Sequence, residues 1–107
     1  MKFGLTENEY RLLIEHLVHP LRQSSARVFI FGSRANGKFK KFSDVDLLFK
    51  ETDQRVSQDL ITSIISFFED SHFPYKIDLV NDSQLAASYR ENVERDMIEL
   101  FPAGLNL

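Results

Sequence analysis

Two aspartates one residue apart, Asp44 and Asp46, follow a Gly-Ser pair, Gly32 and Ser33, after ten intervening residues in the stretch VFIFGSRANGKFKKFSDVDLLF. Side chains on an extended chain alternate faces, so Asp44 and Asp46 point one way while Val45 and Leu47 point the other. Two carboxylates held that close repel unless a cation, a shared proton or open water compensates. A hard divalent cation bound through oxygen is the usual answer. The Gly-Ser turn offers the complementary half of the chemistry. Gly32 lets a phosphate approach the backbone, Ser33 offers a hydroxyl, and a helix starting there aims free N–H groups and positive dipole at an anion. A metal site and a phosphate site are therefore expected on one short loop.

The surrounding chain has to hold that loop, and its patterning says how. Residues 5 to 21 read as a helix, with Thr6 and Glu9 in a capping-box arrangement and Tyr10, Leu13, Ile14, Leu17, Val18 and Leu21 along one face. Pro20 is expected to end or follow it. Arg27 to Phe31 is apolar enough for a central strand, and Asp44 to Lys50 forms the second. If Gly32 and Asp44 are to meet around one phosphate, these two strands run antiparallel. Thr52 or Asp53 caps a helix whose core face is Val56, Leu60, Ile61, Ile64, Ile65 and Phe68, with a stop near Ser71. Phe73-Pro74 turns the chain into a third strand, Tyr75 to Val80. A right-handed crossover makes that strand parallel to the second and brings Asp78 beside Asp44 and Asp46. Asn81 to Phe101 reads as a last amphipathic helix, capped by Asn81 or Asp82, with Leu85, Tyr89, Val93, Met97, Ile98 and Phe101 buried. The tail from Pro102 to Leu107 is expected to fray or dock loosely. The whole is an α/β (α+β) fold, a small mixed sheet flanked by helices.

Composition narrows the classes. At 107 residues the chain is read as one domain, 1–107, with room for a core but not for a second substrate-binding lobe. A net charge of −3 gives no general attraction to nucleic acid, so no direct nucleic-acid partner is expected. The absence of cysteine excludes disulfides and thiol chemistry and suits a reducing cytoplasm. No apolar run approaches the ~18 residues of a membrane span, and no signal-peptide core is visible at the N-terminus.

The Gly-Ser pair, the ten-residue spacing, the Asp-x-Asp pair and a later acid, Asp78, in the apolar segment KIDLV together resemble the signature of the polymerase-β-like nucleotidyltransferase superfamily. GSRANGKFKKFSDVDL is similar, more narrowly, to the minimal nucleotidyltransferases (MNT) encoded beside HEPN-domain partners in prokaryotic toxin–antitoxin pairs. The resemblance covers nearly the whole chain. It implies two Mg2+ ions held by Asp44, Asp46 and Asp78, the third acid also assisting deprotonation of the attacking hydroxyl. It implies ATP as substrate, with its outer phosphates held by Gly32 and Ser33. It further implies transfer of AMP from ATP to a tyrosine hydroxyl of a HEPN-type ribonuclease toxin, which would make this chain the antitoxin. One position departs from the family's commonest wording, which has arginine where Asn36 stands, and this weakens any phosphate or acceptor role there.

Each candidate has a plainer reading beside it. Arg34 either touches phosphate or acceptor or makes a surface salt bridge. Asp78 either joins the other acids or pairs with Lys76 or Arg27. Lys38, Lys40 and Lys41 either neutralise triphosphate or meet an acidic partner, or are a solvated loop. His16 and His19, three apart without further ligands, are read as surface or dipole-satisfying groups rather than a metal pair. Phe67, Phe68 and Phe73 are chiefly core, and exposed parts of them or of the last helix are the expected partner contact. Two other functions compete: a binding module that neutralises its partner by covering it, and a small-molecule nucleotidyltransferase of the aminoglycoside-modifying kind.

Overall fold

The computed structural model describes residues 2–102, which form a four-stranded sheet with helices on both faces. The first helical run opens as its sequence requires: the Thr6 hydroxyl accepts from the Glu9 N–H, and the Glu9 carboxylate accepts from the Thr6 N–H. It continues as α1 (Glu7–Leu13), a π-turn (Ile14–Val18) and α2 (His19–Gln23). Pro20 does not end the run but lies in the first turn of α2. At the end of the π-turn the His19 N–H reaches back to the Ile14 carbonyl. That wider ring makes room for a residue with no N–H to give and a bulky ring to place. Leu13, Ile14, Leu17, Val18 and Leu21 all stay buried, so the apolar stripe survives the change of period.

β1 (Arg27–Phe31) and β2 (Val45–Lys50) pair antiparallel, with Ile30 opposite Leu47, as the meeting of turn and acids demands. After the crossover through α4 (Gln58–Asp70), β3 (Ile77–Asn81) lies parallel to β2. The caps differ from expectation. Ser57, not Thr52 or Asp53, accepts from the Leu60 N–H at 3.1 Å and starts α4. The turn before it is taken up by Glu51, whose carboxylate accepts from the Val56 N–H at 2.7 Å and the Asn81 amide at 3.2 Å. Thr52 donates to the Ser25 carbonyl instead.

The last expected helix is three elements. Asn81 caps a 3-10 turn (Asp82–Gln84), α5 follows at Ala87–Asp96, and the chain then extends into β4 (Ile98–Leu100), antiparallel to β1. Without β4, β1 would be an open edge; the order β3-β2-β1-β4 makes it a central strand. Glu99 anchors the new edge, its carboxylate accepting from Arg27 at 2.7 and 3.0 Å and from Arg22 at 3.3 Å. Tyr89 and Ile98, expected in the buried stripe, are 63% and 43% exposed; the chain leaves helical period before Ile98.

The two faces of the sheet are packed differently. Val28, Ile30, Val45, Leu47 and Phe49 join the main core with α1, α2 and α4, where Phe68 and Phe73 also lie. Phe29 and Leu48 face the other way and pack with Val93 of α5 in a smaller cluster. Phe67 is half-buried with its ring stacked on His16 at 3.9 Å, so His16 is a packing residue rather than a free surface one. Of the tail, residues 103–107 lie outside the described residues.

Candidate functional site

The ends of three strands build the site. Asp46 of β2 and Asp78 of β3 are partners in the parallel ladder, and Phe31, the last residue of β1, is the partner of Asp46 on its other side. Period-two alternation sends Val45 and Leu47 into the main core, so Asp46 emerges on the face of α5, and Asp78 with it. Asp44 lies in the loop just before β2 and is exposed, as is Asp78. Asp46 is only partly open to water. Its carboxyl is pushed up to about 6, first by burial, then by the charges of Asp78 and Asp44, while Arg34 pulls the other way. Three acids therefore share one end of the sheet, and their cluster is short of positive charge.

The turn after β1 touches that cluster directly. Gly32 has φ +73°, where L side chains rarely sit, and a Cβ there would collide with Oδ2 of Asp46. Glycine is thus needed both for the backbone and for the space. The short helix α3 (Gly32–Asn36) starts there and carries Ser33, and Gly37 at φ +83° closes it, its N–H donating to the Ser33 carbonyl.

Arg34 lies neither on a phosphate-facing surface nor in a surface salt bridge. It is 2% exposed, with Nε and Nη2 donating to the Ser43 carbonyl at 3.0 and 2.8 Å and Nη1 donating to the Phe3 carbonyl at 2.9 Å. Its guanidinium lies 4.1 Å from the Tyr75 ring centre and 5.3 Å from that of Phe39. The residue predicted to touch ligand therefore ties together the N-terminal turn, the loop that ends at Asp44 and the segment that leads to Asp78. Its planar fork suits two bonds to one carbonyl, which a lysine could not make.

Asn36 has a structural task in place of the family's arginine. Its amide donates to Asp96 at 3.4 Å, and its carbonyl accepts from the Lys38 N–H at 3.0 Å, fixing α3 against α5. Lys38, Lys40 and Lys41 are exposed, and so is Phe42 beside them at 73%.

Among the described residues no three His, Cys, Asp or Glu side chains are gathered into a ready-made cation cage. The donor chemistry nevertheless fits a hard divalent ion: the available ligands are carboxylate oxygens, one of them held at an elevated pKa by burial and by its two acidic neighbours. Magnesium in particular is bound through one or two carboxylates plus water and phosphate rather than by an all-protein cage. Among the described residues no helix is long and apolar enough to cross a membrane.

A mixed four-stranded sheet flanked by helices, its acidic strand ends beside a Gly-Ser turn, defines an α/β domain. The nucleotidyltransferase domain model matches residues 13–100, and the chain belongs to that family. Its fold is similar to a crystal structure of a toxin–antitoxin with AMP-PNP, at 17% identity and TM-score 0.63, covering 94% of this chain and 76% of that one. It is similar as well to two mutant forms of the toxin–antitoxin MntA-HpeT. One is 16% identical with TM-score 0.61, covering 94% of this chain and 76% of that one. The other is 18% identical with TM-score 0.59, covering 94% and 75%. No curated protein matches the sequence.

Proposed function

We propose that this nucleotidyltransferase moves AMP from ATP to a hydroxyl, that of a tyrosine, on a HEPN-type toxin and thereby serves as its antitoxin. The observation that carries the reading is the meeting of Asp46, Asp78 and Gly32 at one end of the sheet. The likeness to toxin–antitoxin structures, one of them with AMP-PNP, supports a nucleotide substrate and a toxin partner. Such a reaction, fed by ATP, belongs in the cytoplasm.

Asp44, Asp46 and Asp78 would hold two magnesium ions. When bound, these neutralise the charge that develops on the entering and leaving oxygens of an in-line displacement at the α-phosphorus. The chain's own part is alignment. The Gly32 backbone and the Ser33 hydroxyl grip the outer phosphates, so that pyrophosphate leaves along a fixed line. Asp78, exposed beside half-buried Asp46, is open to an incoming acceptor and can take up the proton of its hydroxyl. Burial and the two acidic neighbours raise the Asp46 carboxyl to about 6, a penalty on its charged form that a bound cation would relieve.

The competing reading, capture of the partner without chemistry, draws on the lack of a ready-made cation cage among the described residues. Co-expression with the neighbouring gene product and intact-mass measurement of that partner separates the two. Additions of AMP mass that vanish in Asp44→Asn are the expected result. An unmodified partner that the Asp44→Asn/Asp46→Asn variant still neutralises would establish capture instead.

A further inference from the structure

We propose that the hollow between the β1–α3 turn and α5 is the subsite for the purine base of the nucleotide, an inference that rests on the nucleotidyl-transfer reading. The hollow is lined by Phe31, Gly32, Tyr89, Asn92, Val93 and Asp96 and has a volume of about 190 Å3. That is well below the roughly 300–1,000 Å3 of pockets that enclose a whole drug-sized ligand, and suits a single ring system.

Its position follows from chain geometry. Tyr89, Asn92, Val93 and Asp96 recur at three and four residues and so share one face of α5. Phe31 and Gly32 form the opposite wall, and Gly32 is the residue in contact with the Asp46 carboxylate. A nucleotide whose phosphates lie at Gly32 and the acids therefore has this hollow directly beside it.

The lining suits a base. The walls are mostly apolar, and Tyr89 presents its ring to solvent at 63% exposure, an aromatic surface with nothing over it among the described residues. Val93 is buried and forms the floor of the helix side. Asp96 is already engaged, its carboxylate accepting from Arg95 at 3.2 and 3.4 Å and from Asn36 at 3.4 Å. Asn92 is exposed, and its carboxamide offers a donor and an acceptor side by side, the pairing that reads the edge of adenine. The same helix would thus supply stacking from one residue and edge recognition from another.

The test uses the full chain and two probes, Mg-ATP and Mg-tripolyphosphate, with dissociation constants from calorimetry. Tyr89→Ala should weaken ATP binding roughly 5- to 100-fold, the loss expected for one base–aromatic stack, and leave tripolyphosphate binding unchanged. Tyr89→Phe, which keeps the ring, should bind ATP like the parent. Since Tyr89 is largely exposed, neither substitution threatens the fold. ATP binding by Tyr89→Ala within twofold of the parent overturns the base subsite alone. So does a parent that binds tripolyphosphate as tightly as ATP. A parent that binds neither probe overturns both the subsite and the nucleotidyl-transfer reading.

Discussion

Asp46 and Asp78 face each other across the parallel β2–β3 pair, and burial of Asp46, together with repulsion from Asp78 and Asp44, holds its carboxyl at about 6. A carboxyl whose folded pKa is raised binds more protons folded than unfolded, so stability falls as pH rises from about 4 to about 6 and then levels off. Asp46→Asn removes that penalty. It should raise stability at pH 7 by on the order of 1 to 2 kcal/mol, a figure discounted for the partial exposure of the site, and by almost nothing at pH 4. Thermal melts at the two pH values check the sign. The same variant should lose magnesium-dependent ATP binding, so stability and function move in opposite directions, as expected where like charges are kept together for chemistry.

Gly32→Ala tests whether turn and acids truly share their space. The added methyl meets Oδ2 of Asp46 and must sit at φ +73°, so either the turn shifts or the carboxylate does. The expected cost is about 1 to 3 kcal/mol in stability, together with at least a tenfold loss in affinity for Mg-ATP. Gly37→Ala is the control. It carries a similar positive φ of +83°, but nothing lies within reach of its Cβ. It should lose stability through the backbone alone and keep its nucleotide affinity; equal binding losses in both variants would refute the contact.

The β4 edge makes a second pH prediction, of the opposite sign. Hydrogen bonds from Arg27, then its charge and the bonds from Arg22, hold the Glu99 carboxyl below its ordinary range despite some burial. Its stabilisation is therefore present at neutral pH and lost as pH falls through the carboxylate range. Glu99→Gln should cost about 1 kcal/mol at pH 7, with the difference from the parent closing by pH 3. Urea titrations at the two pH values measure it.

The first helical run, β1, β2, α4 and the parallel β3 that sets Asp78 beside Asp46 were legible from periodicity and one crossover rule, and the antiparallel β1–β2 pair from the requirement that Gly32 and Asp44 meet. What escaped was mostly local. Met97 to Leu100 satisfies a helical stripe and a short strand equally well, and only the need to cover β1 decides between them. Pro20 is absorbed by a π-turn that no single-residue preference announces. Asp53 and Thr52 are sound caps in isolation, but Glu51 had already organised their turn. At the site, alternation along β2 and the parallel pairing of β3 were enough to anticipate that the three acids lie near one another. Residue type misjudged Arg34 because a guanidinium serves buried carbonyls as readily as phosphate, and spacing does not distinguish them.

Arg34 yields the most demanding prediction. Its three hydrogen bonds end on main-chain carbonyls of Phe3 and Ser43. Arg34→Met keeps much of the volume between Tyr75 and Phe39 but leaves those part-buried carbonyls without the donors they have now. The loss should be on the order of 3 kcal/mol, a large part of the stability of a chain this size. Arg34→Lys keeps the charge and can reach one carbonyl, yet it cannot place two donors on Ser43 while keeping a guanidinium over the Tyr75 ring. It should recover less than half of that loss. Because Ser43 immediately precedes Asp44, amide exchange in residues 38–44 should speed up in both variants before the sheet is affected. If the loop remains as protected as in the parent while the whole domain loses stability, Arg34 is simply a core residue. Faster loop exchange with an intact sheet would mean that this buried cation is what keeps the first acid of the cluster in place.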